Sequence, residues 1–279
     1  PNISISSTSV SCYLGSDGSA TITVSGPNGP FNATWSTGQV NSNIPNGTSV
    51  VANFLPAGIY NVYVVDQLGC SSVNVVVVSE PNIVSSAIAS NDVLCNGDNT
   101  GAINLSPFGG TGNYTFSWSN GEISEDVSNL IAGNYSVNIT DQNGCSSGQI
   151  STTINEPISA INSSISASPI SCSNGLDGSI VLNAYGGTPP YAYNWNGGTY
   201  FTKDITNLSS GNYTVLITDD NGCTNSNSLT LNDPTPIAGS LATTSIDCFG
   251  ESTGNIDLSV SGGTSPYTYQ WSNSTSIIS

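Results

Sequence analysis

Gly186-Gly187-Thr188-Pro189-Pro190-Tyr191-Ala192-Tyr193-Asn194-Trp195 is the stretch on which the fold turns, because its pattern stands again at 26–35, 109–118 and 262–271. Each of the four tryptophans lies 23 residues after a cysteine: Cys12 and Trp35, Cys95 and Trp118, Cys172 and Trp195, Cys248 and Trp271. A spacing kept four times is the mark of a tandem array. Successive first cysteines are 83, 77 and 76 residues apart, which sets modules of about 77 residues. The modules read as 1–80, 81–156 and 157–233, with 234–279 as the N-terminal part of a truncated fourth. The chain therefore reads as a slice of a longer array.

Outward from the tryptophan, each module shows the same order of signals. Upstream, Ser19-Ala20-Thr21-Ile22-Thr23-Val24 is rich in β-branched residues, a strand signal. Downstream, Gly58-Ile59-Tyr60-Asn61-Val62-Tyr63-Val64-Val65 is another. The turns before the second cysteine read Asp66-Gln67-Leu68-Gly69, Asp141-Gln142-Asn143-Gly144 and Asp219-Asp220-Asn221-Gly222, and Asn-Gly accepts the positive φ that hairpins need. Short linkers follow: Glu80-Pro81, Glu156-Pro157 and Asp233-Pro234. Module one carries extra residues between Trp35 and Leu55, expected in a surface loop. No segment has a helical period. The expected fold is all-β: a tandem array of small Ig-like β-sandwich modules with one disulfide per module.

In the aromatic run, Tyr191, Tyr193 and Trp195 alternate with Ala192 and Asn194, so the rings share one sheet face. Such a stripe could be a sugar-stacking platform. Its recurrence in every module reads more simply as core, because a small sandwich needs the apolar area that rings bury. The core aromatics are then Trp35, Trp118, Trp195 and Trp271, with Tyr60, Tyr135 and Tyr213 on the strand before the second cysteine.

The module register pairs Cys12 with Cys70, Cys95 with Cys145 and Cys172 with Cys223, and leaves Cys248 without a partner. Zinc is not indicated, since there is no CxxC and no histidine. Disulfides imply an oxidising, extracellular compartment.

One Lys (Lys203), no Arg, no His and 18 acidic residues give a net charge of −17. Nucleic-acid binding needs cations to neutralise phosphates, and binding to an anionic membrane surface fails for the same reason. No run is long and apolar enough for insertion into a membrane. The usual general bases and oxyanion stabilisers are missing, so no enzyme is expected. Calcium remains a candidate cofactor through Asp66, Asp141 and Asp219, which recur four residues before the second cysteine. Calcium wants six to eight oxygens, and no EF-hand spacing exists. Asp accepting backbone hydrogen bonds in a turn is the simpler reading. Asp17, Asp98, Asp177 and Glu251 follow the first cysteines in a looser register.

Taken together, Gly-Gly-Thr-x-Pro-Tyr-x-Tyr-x-Trp, Asn-Leu-x-x-Gly-x-Tyr-x-Val-x-Ile-Thr-Asp-x-x-Gly-Cys and the Glu-Pro linker resemble the SprB repeat of very large cell-surface adhesins of gliding bacteria. The residues carrying the match are 186–195 with 207–223, and 109–118 with 129–145. Module one departs most, with Gly26-Pro27-Asn28-Gly29-Pro30 in place of the Gly-Gly-Thr turn. The resemblance implies an extracellular filament at the cell surface, exported by the type 9 secretion system and used in attachment and gliding motility. Its implied partners are neighbouring repeats of the same chain, surface polysaccharide or another adhesion target, and outer-membrane secretion and motility machinery reached through other regions. The alternative is a calcium- or polysaccharide-binding module array of a secreted surface protein.

Overall fold

The computed structural model describes residues 1–272 and 277–278. Every regular element among them is a β-strand, and no helix is long and apolar enough to cross a membrane. The chain divides into two compact units, one of residues 1–93 and 99–155, the other of 94–98 and 156–279.

The first unit holds two sandwiches. In the first, β1 (Asn2–Thr8), β2 (Gly18–Ser25), β3 (Phe31–Trp35), β4 (Val40–Ile44), β5 (Thr48–Leu55), β6 (Gly58–Val65) and β7 (Ser71–Val78) form sheets ordered β1-β2-β5 and β4-β3-β6-β7. In the second, β8 (Ser85–Asn91), β9 (Gly101–Phe108), β10 (Tyr114–Trp118), β11 (Val127–Leu130), β12 (Gly133–Asp141) and β13 (Ser146–Ile154) form β11-β9-β8 and β10-β12-β13. The second unit repeats this plan with β14 (Asn162–Ser168), β15 (Gly178–Tyr185), β16 (Ala192–Trp195), β17 (Ile205–Leu208), β18 (Gly211–Thr218) and β19 (Thr224–Leu231), in sheets β14-β15-β17 and β16-β18-β19. It ends with two pairs, β20 (Ala238–Thr244) with β21 (Asn255–Ser261), and β22 (Trp271–Ser272) with β23 (Ile277–Ile278). All described pairings are antiparallel.

Period-two alternation builds each core. In β2 the side chains of Ala20, Ile22 and Val24 are buried while their neighbours lean outward. Phe31, Ala33 and Trp35 of β3 face them from the other sheet. Trp118 and Trp195 occupy the same place in the next two sandwiches, and each indole Nε1–H donates to a backbone carbonyl, of Ser124 at 2.8 Å and Thr202 at 3.0 Å. The aromatic stripe is therefore core, with Tyr114, Phe116, Tyr191 and Tyr193 partly buried against it. Trp271, by contrast, is only half-buried.

Tyr60, Tyr135 and Tyr213 make a tyrosine corner, in which each hydroxyl donates to the carbonyl four residues earlier, of Pro56, Ile131 and Ser209 at 2.9–3.0 Å. Tyr135 and Tyr213 are buried and Tyr60 half-buried. The extra residues of the first sandwich differ from the expected loop. They form β4, an added strand at the sheet edge, and lengthen β5 to eight residues where β11 has four. Val40-Asn41-Ser42-Asn43-Ile44 can pair with β3, which satisfies backbone groups that a loop would leave to water.

The expected disulfides are not those formed. Cys12 bonds to Cys145 and Cys95 to Cys223, while Cys70, Cys172 and Cys248 are free and exposed. The cause is strand direction. The chain enters the first sandwich at β1 and leaves it from β7, and both strands run toward the same end. Cys12 follows β1 and lies at the trailing end, where Val10 N–H donates to the Ser79 carbonyl at 3.0 Å. Cys70 precedes β7 and lies at the leading end, where Gln67 N–H donates to Asn28 of the β2–β3 turn. Eight-residue β6 separates those ends by about 26 Å. A disulfide needs Cα atoms about 4.4–6.8 Å apart, so the two cysteines of one module cannot meet.

Candidate functional site

The feature that recurs with the most built-in detail is the junction between one sandwich and the next. Three devices converge there. The first is the linker acid, which holds the loop carrying the first cysteine. Glu80 accepts the Leu14 N–H at 2.8 Å, Glu156 accepts the Gly97 N–H at 2.5 Å, and Asp233 accepts the Asn174 N–H at 3.0 Å. Asp17 and Asp177 tighten the same loop, each accepting both the N–H and the hydroxyl of Ser11 or Ser171.

The second device is the Gly-Gly turn, which clasps the chain just after the linker. Gly110 N–H donates to the Asn82 carbonyl and Gly187 N–H to the Ser159 carbonyl, both at 2.8 Å. Only glycine fits here. Gly110 and Gly187 have φ of 61° and 59°, and a Cβ on either would lie 2.6 or 2.4 Å from the carboxylate of Asp141 or Asp219.

The third device is that aspartate. Asp219 is 5% exposed. Its Oδ1 accepts the N–H groups of Asn221 at 3.0 Å and Cys223 at 2.8 Å, and its Oδ2 accepts Thr188 N–H at 2.8 Å. Asp141 does the same with Asn143, Cys145 and Thr111. Asp66 takes Leu68 and Cys70, with Asn28 Nδ2 in the third place at 3.3 Å. One carboxylate thus ties the second-cysteine turn to the Gly-Gly-Thr turn. The three candidate calcium residues are turn staples, and among the described residues no three acidic or cysteine side chains gather in a way that could hold a metal.

The result is that the Cys145 and Cys223 turns are held against the loops that carry Cys12 and Cys95. Cys12 and Cys145 have Cα atoms 5.5 Å apart, and Asn143 Nδ2 donates to the Ser11 carbonyl at 3.4 Å. Cys95 and Cys223 are 5.7 Å apart, and Asn221 Nδ2 donates to the Leu94 carbonyl at 2.9 Å. Shallow clefts flank both disulfides; that beside Cys95–Cys223 has a volume of about 390 Å³ and is bordered by Ala160, Ile161 and Gly187. The chemistry that the junction shows is covalent joining.

Four carboxylates, Asp17, Asp66, Asp141 and Asp177, are held in their ionised form by the fold. Burial opposes ionisation of Asp66 and Asp141, but the N–H donors led by Cys70 and Cys145 outweigh it and hold both below the ordinary carboxylate value. The Ser11 and Ser171 hydroxyls, then their N–H groups, lower Asp17 and Asp177. A lowered folded-state pKa adds stability above the unfolded value, about 3.9, which is lost as the pH falls through the folded one. Thermal unfolding followed by circular dichroism should therefore be flat from pH 7 to about 5 and drop below about pH 4. A melting temperature that holds or rises down to pH 2.5 would count against the staple role.

What sends Cys12 and Cys70 to opposite ends is the direction of the first and last strands, which strand pairing sets and the module register does not contain. A cysteine after the first strand and another before the last, in a chain entering at one end and leaving at the other, cannot share an end.

A family model described as the SprB repeat matches residues 4–40, 87–122, 164–200 and 240–276. No curated protein matches the chain. Among solved structures, immunoglobulin domains 1–5 of Sidekick-1 align at 12% identity over 83% of this chain and 58% of that one, with a TM-score of 0.35. The N-terminal eight Ig domains of Down Syndrome Cell Adhesion Molecule align at 15% identity over 83% and 36%, with a TM-score of 0.38. Invasin, described as a bacterial integrin-binding protein, aligns at 13% identity over 87% and 62%, with a TM-score of 0.30. The chain thus spans between about a third and two thirds of the length of these structures. With four successive matches that together cover more than half of its residues, the chain belongs to the SprB-repeat family.

Proposed function

We propose that this chain is a structural and adhesive stalk segment of a very large extracellular surface filament, serving attachment and gliding. The observation that carries the reading is the junction: disulfides join repeat to repeat, as a filament exposed outside the cell requires. Membership of the SprB-repeat family and the acidic, Lys-poor composition support it. In this reading the chain is not an enzyme. Asp66, Asp141 and Asp219 serve in it as turn staples, each accepting N–H donors at both carboxylate oxygens. Polysaccharide or another adhesion target would be met by regions other than the aromatic stripe, which is core.

Antibodies raised against the purified chain test the reading on intact cells of the source organism. The expected result is surface labelling without permeabilisation, and transport of antibody-coated beads along the cell. Labelling only after permeabilisation would overturn the surface assignment; labelled beads that stay still on gliding cells would remove the motility part.

A further inference from the structure

The two disulfides do more than join neighbours. Cys12–Cys145 closes 133 residues and Cys95–Cys223 closes 128, and the two loops overlap between 95 and 145. Overlap is a topological property with a mechanical consequence. Suppose the chain is pulled at its two ends until every sandwich has unravelled. The taut path runs to Cys12, crosses to Cys145, returns to Cys95, crosses to Cys223 and continues. Between Cys12 and Cys223 only about 50 residues then carry load, roughly 170 Å at about 3.3–3.6 Å per residue. Nearly all of the first core, from Ala20 to Val78, and most of the third, from Ile161 to Ile217, lie in bypassed loops.

We infer that the overlapping disulfides form a redundant covalent load path, a function separate from adhesion itself, in which either disulfide can be lost while the other still limits extension. With Cys95–Cys223 gone, the taut path crosses at Cys145 and runs on to residue 223. With Cys12–Cys145 gone, it runs to Cys95 and crosses there. Each single loss adds only about 30 residues, or roughly 100 Å. Losing both frees the whole stretch from 12 to 223, adding about 160 residues or roughly 550 Å. The double effect is more than twice the sum of the single effects. Disulfides in series, each closing its own module, would give additive lengthening, and breaking any one would release its full loop.

The inference is independent of whether the filament adheres or glides, so its test leaves that reading untouched. The full chain, with Cys70, Cys172 and Cys248 replaced by Ser, is pulled between terminal handles by optical tweezers under non-reducing conditions. Cys12→Ser, Cys95→Ser and the double variant are compared with this parent. Contour length is read after complete unravelling, so the result depends on the covalent connections and not on how well each variant refolds. Non-reducing peptide mapping of the same preparations identifies the bonds. The expected result is lengthening of about 100 Å for each single variant and about 550 Å for the double, with the double also matching the fully reduced parent. Single variants that each lengthen by about 270 Å, adding up to the double, would overturn the overlap; so would mapping that joins Cys12 to Cys95 or Cys145 to Cys223.

Discussion

Replacing Asp219 by Ala should cost the third sandwich about 3–5 kcal/mol, most of what a module of this size has to lose. The side chain is 5% exposed and takes three backbone N–H donors, from Thr188, Asn221 and Cys223. Ala removes every acceptor at once. Each buried donor left unmade costs about 1–3 kcal/mol, and bonds to a charged acceptor lie at the upper end. Water entering the vacated space offsets part of this. Asp219→Asn keeps Oδ1 for Asn221 and Cys223 but sets an amide against Thr188 N–H, so its loss should be smaller, about 1–2 kcal/mol. Hydrogen exchange of Val215 and Ile217 amides measures both. An Ala variant within about 1 kcal/mol of the parent would mean that the turn holds itself together without the carboxylate.

Trp195→Ala should be as damaging by a different route. Trp195 is 0% exposed and sits among Ile180, Leu182, Ile205, Val215 and Ile217. Its removal loses transfer energy and leaves a cavity that β-sheet walls close poorly, a cost of about 3–5 kcal/mol. Its Nε1–H also donates to Thr202, which fastens the β16–β17 connection to the core. Trp195→Phe keeps much of the ring area and loses that bond, so about 1–2 kcal/mol is expected. Because the three cores are separate clusters, amides of the first sandwich should keep their protection in both variants. Equal loss of protection in the first and third cores would show that the array unfolds as one cooperative body instead.

Much of this is legible in the chain because it depends on local chemistry. The alternation of Ala20, Ile22 and Val24 with polar neighbours is by itself the mark of a half-buried strand, and β2 has that burial. Gly110 and Gly187 are readable as turn residues, although the reason that no other side chain serves, the carboxylate 2.6 or 2.4 Å from a Cβ, belongs to contacts 30 residues away. The aspartates are visible as a recurring position with two meanings. Their partners decide between these: the short-range donors Asn143 and Cys145 follow from the turn, whereas Thr111 does not. The extra residues of the first module illustrate the opposite case. Nothing in Val40-Asn41-Ser42-Asn43-Ile44 distinguishes a loop from an edge strand until β3 lies beside it.

The sequence by itself determined the repeat, the all-β class, the identity of the core tryptophans Trp35, Trp118 and Trp195, and the presence of two cysteines in each of the first three modules. Each of these follows from spacing and composition within about 80 residues, where like residues meet like neighbours in every copy. Tertiary structure decided which cysteines meet. Register along the chain made Cys12 and Cys70 look like partners, but pairing depends on distance in space, and β6 holds them about 26 Å apart. The linker does the reverse: it brings Cys145, 133 residues away in sequence, to a Cα distance of 5.5 Å from Cys12. A strand is a rigid spacer and a linker a short connection, so within the first unit the end of the first sandwich lies nearer to the start of the second than to its own beginning.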